Sequence, residues 1–237
     1  MIVQACLNGS RTVGFHQRLP VTSEDIANEG AWCIAAGAAE LHLHPRGVRG
    51  KESLAAIDTA ILSLRRACPG TLIGVSTGAW IENDEVQSRN CIAQWNELPD
   101  YASVNLSEPD APAIIELLRR RGIGVEAGLA SVADAERLVK LSGHRPVSRI
   151  LIEIEEQDLG VARPVAESIA AVLDRAGLRR PILLHGVDAT VWPCVELARQ
   201  RRWSTRVGLE DGKHLPDGTI ASDNAALVID ALAMFHA

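Results

Sequence analysis

Residues 40–46 read Glu-Leu-His-Leu-His-Pro-Arg, and this stretch indicates both the fold and the site. Successive side chains of a β-strand point to opposite faces, so His42 and His44 share one face and the two leucines share the other. Pro45 ends the strand because it cannot donate a ladder hydrogen bond. Two imidazoles on one face can bind one metal ion, so we expect a metal site at this strand end. The alternative left open here is a histidine pair satisfied by hydrogen bonds in a polar interior.

Strand and helix patterns alternate on both sides of this stretch. Strands are predicted at 2–8, in the stretch itself, and at 72–76, 101–106, 123–127, 149–154, 182–185 and 204–209. Helices are predicted from a capped start at 20–25 to about residue 36, and at 53–68, 82–96, 111–121, 132–141, 165–176, 190–199 and 222–235. Eight strand–helix pairs predict an α/β fold, a (β/α)8 TIM barrel, as a single domain over residues 1–237. No G-x-G-x-x-G follows the first strand, which disfavours an open doubly wound sheet.

Each predicted strand has one apolar face and one more polar face. The apolar faces would pack against helices, and the polar faces, which include His42, His44, Glu126 and His185, would point into the lumen. A purely structural barrel fills its lumen with Val, Ile and Leu. Buried polar groups need partners, so this lumen is predicted to be a site.

Composition excludes several function classes. The chain has 24 Lys+Arg against 30 Asp+Glu, a net charge of −6, and no basic cluster typical of a nucleic-acid partner. It contains no apolar run long enough for a membrane span and no basic start typical of a signal peptide. Five scattered cysteines without a Cys-x-x-Cys pattern are typical of a reduced, cytoplasmic protein.

The last predicted strand supplies further candidates. Arg206 and Glu210 would share its lumen face, and Asp211 follows at once. In a closed barrel this strand lies two strands from the histidines, so Glu210 could complete a His-His-Glu set with an open position. Asp211 beside Arg206 would stay ionised and could act as a base. A rim salt bridge is the alternative for this arginine–aspartate pair.

Several short motifs, taken in order, resemble one family. They are HLHPR (42–46), VSTG (75–78), ASVN (102–105), RVGLED (206–211) and TIASDNA (219–225). Together they resemble the β-keto acid cleavage enzymes, of the 3-keto-5-aminohexanoate cleavage type, over nearly the whole chain. The chain looks like a short member of that family.

The resemblance implies a zinc-dependent acyltransferase that condenses a β-keto acid with acetyl-CoA, its co-substrate, and releases acetoacetate and a new acyl-CoA. It implies one zinc per chain on His42, His44 and Glu210, with Asp211, Arg206 and Glu126 as catalytic residues. Asp211 is expected to take a proton from the acetyl methyl group. The resemblance also implies a homo-oligomer, a tetramer. The expected substrate-binding residues are Ser76, Ser103, Asn105, Arg11 and Arg46.

Two departures from the family pattern leave alternatives open. Arg11 stands where the family carries an acid, so we expect a β-keto acid with an anionic tail, such as a 3-oxo diacid; a solvated loop arginine is the alternative. The segments after the fourth and sixth strands are short, which favours a zinc lyase or hydrolase without CoA. A silent barrel that binds a small acid is a third possibility.

Overall fold

Eight parallel strands close a barrel in chain order, as the alternation predicts. The computed structural model describes residues 1–47, 49–141 and 147–236. The strands are β1 (Val3–Cys6), β2 (Glu40–Leu43), β3 (Leu72–Ser76), β4 (Tyr101–Asn105), β5 (Gly124–Leu129), β6 (Arg149–Ile154), β7 (Ile182–Gly186) and β8 (Ser204–Val207). The predicted TIM-barrel fold is therefore confirmed.

A helix follows each strand. The helices are α1 (Ser23–Ala35), α2 (Ile57–Ala67), α3 (Glu85–Gln94), α4 (Ala111–Arg120), α5 (Val132–Leu141), α6 (Leu159–Arg175), α7 (Val191–Arg201) and α8 (Asn224–His236). The predicted cap of α1 is present, because Thr22 accepts from the Asp25 backbone and Asp25 accepts from that of Thr22. The main error concerns α6, which begins at Leu159 after an Asp158 cap and contains Pro164, so its predicted start at residue 165 is too late. In the part of the chain described here, no helix is long and apolar enough to cross a membrane.

The apolar strand faces pack against the helices in one continuous core. Leu41, Leu43, Ile73 and Val75 are each fully buried there. Burying an aliphatic side chain of this size contributes about 1.5–3 kcal/mol, so this layer between sheet and helices stabilises the barrel strongly. The opposite strand faces are free to carry polar groups.

A polar network fills the lower part of the lumen. Arg149 contacts the carboxylate of Glu40 and donates to Glu126 at 2.6 Å. Gln4 donates to Glu40 at 3.1 Å and to the Tyr101 hydroxyl at 2.7 Å. The network links five strands and blocks the lumen beneath the carboxyl ends of the strands.

Gly208 allows the close approach of β1 and the turn after β8. A Cβ at this position would lie 1.8 Å from the backbone oxygen of Cys6. We predict that Gly208→Ala lowers the free energy of unfolding by about 1–3 kcal/mol or more, because a backbone atom cannot move aside cheaply. Chemical denaturation measures this change. Gly14→Ala, whose Cβ would meet no atom within 4 Å, is the control and should change stability by less than about 0.5 kcal/mol. Equal stability losses in both variants would contradict the explanation.

Candidate metal centre and active site

The structure brings the three predicted metal ligands together at the carboxyl ends of the strands. One donor atom from each of His42, His44 and Glu210 lies within 4.8 Å of the others. Glu210 Oε1 is 3.3 Å from His44 Nε2, and its Oε2 is 3.8 Å from His42 Nε2. β8 ends at Val207, so Glu210 stands in the turn that follows and not on the strand as predicted.

The donor set fits a divalent metal ion such as zinc. Glu210 Oε2 is buried and has no hydrogen-bond partner among the described residues, which leaves a lone pair free beside two imidazole nitrogens. Two histidines and one carboxylate form a known catalytic zinc set. Gly9 makes room for this carboxylate, since its φ is +53° and a Cβ there would lie 2.3 Å from Glu210 Cγ.

Burial and nearby charges act differently on the two imidazoles. Burial lowers the pKa of His42 well below its usual range, so this ring is neutral and available as a ligand. Burial also opposes the charge on His44, but the carboxylates of Glu210 and Glu52 raise its pKa to about 9. A bound metal would favour the neutral form of that ring.

Asp211 lies beside the metal set and is fully buried. Arg206 Nη2 is 2.6 Å from Glu210 Oε1 and 3.2 Å from Asp211 Oδ1, so one guanidinium contacts both acids. The Cys6 thiol lies 2.7 Å from Asp211 Oδ2, and His185 Nδ1 lies 3.1 Å from Oδ1. Burial and Asp211 raise the pKa of Cys6, so it remains a thiol donor. Asp211 is thus an oriented carboxylate facing the cavity.

The cavity above these residues has a volume of about 340 Å³. It takes in four of the predicted substrate-binding residues, Arg11, Ser76, Ser103 and Asn105, together with the metal set, Arg206 and Asp211. It is also lined by Ser10, Trp80, Glu153, Glu155, His185 and Val187. Its size and mixed lining fit a small organic acid.

Arg11 is partly engaged within the protein. Its Nη2 pairs with Asp188 Oδ1 at 2.8 Å, and its Nε donates to the backbone oxygen of Glu210 at 2.9 Å. Its Nη1 has no acceptor among the residues that the structure describes. Nη1 is therefore the nitrogen of this cavity-lining residue that is left to bind a ligand.

Arg46 and Glu126 lie outside the cavity lining. The Arg46 guanidinium donates to the backbone oxygens of Gly9, Arg11 and Gly50 at 2.7–2.8 Å and anchors two loops. Glu126 belongs to the polar network below, where burial raises its pKa and Arg149 opposes that shift. Their predicted substrate and catalytic roles remain predictions, and neither side chain lines the cavity that would hold a substrate.

Five residues without a predicted role in the site join it in the structure. These are Cys6, Glu52, Trp80, Glu153 and His185. Cys6, Glu153 and His185 stand on the lumen faces of their predicted strands, a signal that could have identified them. Glu52 and Trp80 lie on loops, where side-chain periodicity carries no information.

The fold and site define a (β/α)8 barrel with a candidate two-histidine, one-glutamate metal centre at the carboxyl ends of its strands. The sequence model of the β-keto acid cleavage enzyme family matches residues 1–237, and the chain belongs to this family.

Solved structures share the barrel at low sequence identity. Apo ObcA matches with a TM-score of 0.70 and 17% identity, over 90% of this chain and 60% of that one. The ternary complex of ObcA with a C4-CoA adduct and oxalate matches with a TM-score of 0.71 and 17% identity, over 90% and 62%. Type I 3-dehydroquinate dehydratase from Clostridium difficile gives a TM-score of 0.66 and 12% identity, over 98% and 91%. The chain thus spans only about three fifths of the length of ObcA.

Proposed function

We propose that this protein is a zinc-dependent acyltransferase that condenses a β-keto acid with acetyl-CoA to give acetoacetate and a new acyl-CoA. The observation that carries the proposal is the buried His42, His44 and Glu210 set, with the oriented carboxylate of Asp211 beside it. Membership of the β-keto acid cleavage enzyme family supports the substrate class. A zinc ion bound there would supply a Lewis acid that stabilises negative charge on substrate oxygens.

Atom balance decides which proton Asp211 removes. The acetyl methyl group survives as the methyl group of acetoacetate, so the proton is lost from C2 of the β-keto acid and not, as the sequence-based expectation had it, from the acetyl methyl group. C2 then bonds to the acetyl carbonyl carbon and the CoA thiolate leaves. The thiolate attacks the C3 carbonyl, and the C2–C3 bond breaks to give the new thioester and the carbanion of acetoacetate, which takes its proton back from Asp211. Asp211 lines the cavity, and the Arg206 guanidinium holds its carboxylate in one orientation, as a base for this proton requires.

Two observations bear on whether this protein uses CoA, and they point in opposite directions. ObcA has been solved with a C4-CoA adduct and oxalate, which supports a thioester partner for this barrel. The connections after β4 and β6 are short, at residues 106–110 and 155–158, and they offer little cover for a long acyl donor. This shortness favours the second candidate, a zinc lyase or hydrolase acting on a keto acid without CoA.

A screen of β-keto acids with and without acetyl-CoA, followed by product mass, tests the proposal. We expect zinc-dependent formation of acetoacetate and one new acyl-CoA in equal amounts. Turnover without acetyl-CoA would support the lyase or hydrolase instead. A protein that binds the acids without converting them would be a silent barrel, which the intact Arg206, Asp211 and metal set argue against.

We also propose that the protein is cytoplasmic and that it forms a homo-tetramer. The location is supported by the five cysteines, which are all unpaired and buried, as expected in a reducing compartment. Light scattering after size exclusion measures the subunit number.

Arg11 is proposed to favour a substrate with an anionic tail, because it lines the cavity and its Nη1 has no partner in the described part of the chain. We predict that the parent has a higher kcat/KM for a 3-oxo diacid than for its amino analogue. Arg11→Gln should reduce that ratio about tenfold, the lower end of the range for a charged hydrogen bond in view of its partial exposure.

Asp188→Asn provides the matched comparison, because it removes the partner of Arg11 and leaves the arginine in place. We expect this variant to raise the ratio. A parent that prefers the cationic analogue, or a ratio that neither change moves, would show that Arg11 does not bind the tail.

A further inference from the structure

His44 is held by two side chains that stand outside the metal set. Glu52 Oε1 lies 2.5 Å from His44 Nδ1. The Trp80 ring stacks on the imidazole, with centroids 6.3 Å apart and planes 28° apart. Trp80 Nε1 also donates to Glu52 Oε2 at 3.2 Å. The carboxylate thus connects the ligand ring to an aromatic side chain at the cavity mouth.

Backbone hydrogen bonds in the loop between β2 and the short helix Leu54–Ala56 bring Glu52 close to His44. Ser53 donates from its backbone to the oxygen of Pro45 at 2.9 Å, and Gly47 donates to that of Lys51 at 2.8 Å. These bonds fold the chain back on itself, so a residue from the far side of the loop returns to His44. Arg46 fastens the same loop to Gly9, as described above.

The imidazole rings of His42 and His44 differ in whether Nδ1 has a hydrogen-bond partner. His42 Nδ1 is buried and has no hydrogen-bond partner among residues 1–47, 49–141 and 147–236. His44 Nδ1 has a carboxylate acceptor, which requires a hydrogen on Nδ1 and leaves Nε2, the nitrogen that faces Glu210, as the one that would bind a metal ion. Glu52 approaches the ring from the side opposite Nε2, so it is not placed to bind the same ion.

We propose that Glu52 is a positioning residue for the metal centre, which fixes the ring of His44 with Nε2 as the ligand atom, and that Trp80 holds Glu52 in place. The proposal rests on the metal site of the proposed function. Partners of this kind typically change metal affinity about 10–100-fold, because they fix both the orientation and the basicity of the ligand. The contact with Trp80 also connects the cavity mouth to the ligand ring.

Zinc affinity of purified variants, measured by competition with a chelating indicator, tests this role. Glu52→Ala should weaken zinc binding about 100-fold and Glu52→Gln about tenfold, because the amide oxygen can still accept from Nδ1 but carries no charge. Trp80→Phe keeps the stacked ring and loses the Nε1 donor. Zinc affinity is therefore expected to fall about two- to tenfold, which corresponds to the loss of one hydrogen bond. Glu155→Ala removes a carboxylate on the same cavity that makes no ion pair with the three ligands in the described part of the chain, so it should leave zinc affinity unchanged.

Nitrogen-15 NMR of the His44 ring in the zinc-loaded parent supplies a second measurement. We expect a zinc-bound Nε2 and a protonated Nδ1, with the Nδ1 proton exchanging faster in Glu52→Gln. Zinc on Nδ1, or equal zinc affinity in the parent and both Glu52 variants, would overturn the positioning role while leaving the metal site intact. A parent without zinc affinity would overturn the metal site and this role together. Should the Glu52 variants fail to fold, as judged by circular dichroism, Trp80→Phe and the NMR of the parent still decide.

Discussion

Replacement of Glu210 by glutamine is expected to leave the protein without stoichiometric zinc, and His42→Ala should do the same. The parent should hold one zinc per chain. Each change removes one of three donor atoms, and the glutamine also removes the charge that offsets the cation. The loss should exceed the about 10–100-fold that removal of a supporting partner costs.

Elemental analysis after dialysis measures this result. Circular dichroism must show that each variant keeps its secondary structure, since Glu210 also contacts Arg206. Glu155→Ala is again the control and should retain its metal. Full zinc occupancy in both ligand variants would mean that the metal, if bound, lies elsewhere.

Asp211→Asn is expected to lower turnover by about 10²-fold or more while zinc and fold are kept. Asparagine has the shape of aspartate, and position 211 lies next to the metal set without belonging to it, so the change removes a base and no metal ligand. The magnitude is the usual one for a positioned acid–base group. The two carboxylate oxygens contact Arg206, Cys6 and His185. The amide of asparagine has only one oxygen, so some of these contacts will be lost.

Steady-state kinetics with the zinc content of each sample checks the expectation. Asp174→Asn, at an exposed position on α6, is the matched control and should turn over like the parent. Parent-like turnover in Asp211→Asn would require another base. Glu126 was the next candidate by sequence, but its pairing with Arg149 outside the cavity lining makes it a poor one.

The barrel could be predicted because its signal is local and repeated. Period-two alternation, capping residues and turn residues place all eight strands, and packing against helices enforces the same faces in the structure. The start of α6 was missed because Pro164 is usually a signal for a helix boundary, whereas here an Asp158 cap begins the helix earlier.

The same reasoning predicts part of the site. His42, His44, Glu210 and Asp211 follow from strand positions, and the family resemblance adds Ser76 and Ser103. Arg46 was expected at the substrate, but three backbone oxygens take its hydrogen bonds, which no sequence pattern reveals. Glu52 reaches His44 only because a loop folds back, so tertiary structure alone could identify it.

The polar network in the lower lumen has a kinetic consequence. Glu40, Arg149 and Tyr101 fill the space beneath the cavity, so in the proposed reaction both reactants and both products would share the upper entrance. A thioester is the bulkier reactant and would obstruct that entrance once bound. We therefore expect compulsory order, with the keto acid adding first and the acyl-CoA product leaving before acetoacetate. An excess of acetyl-CoA should then inhibit initial rates competitively with the keto acid.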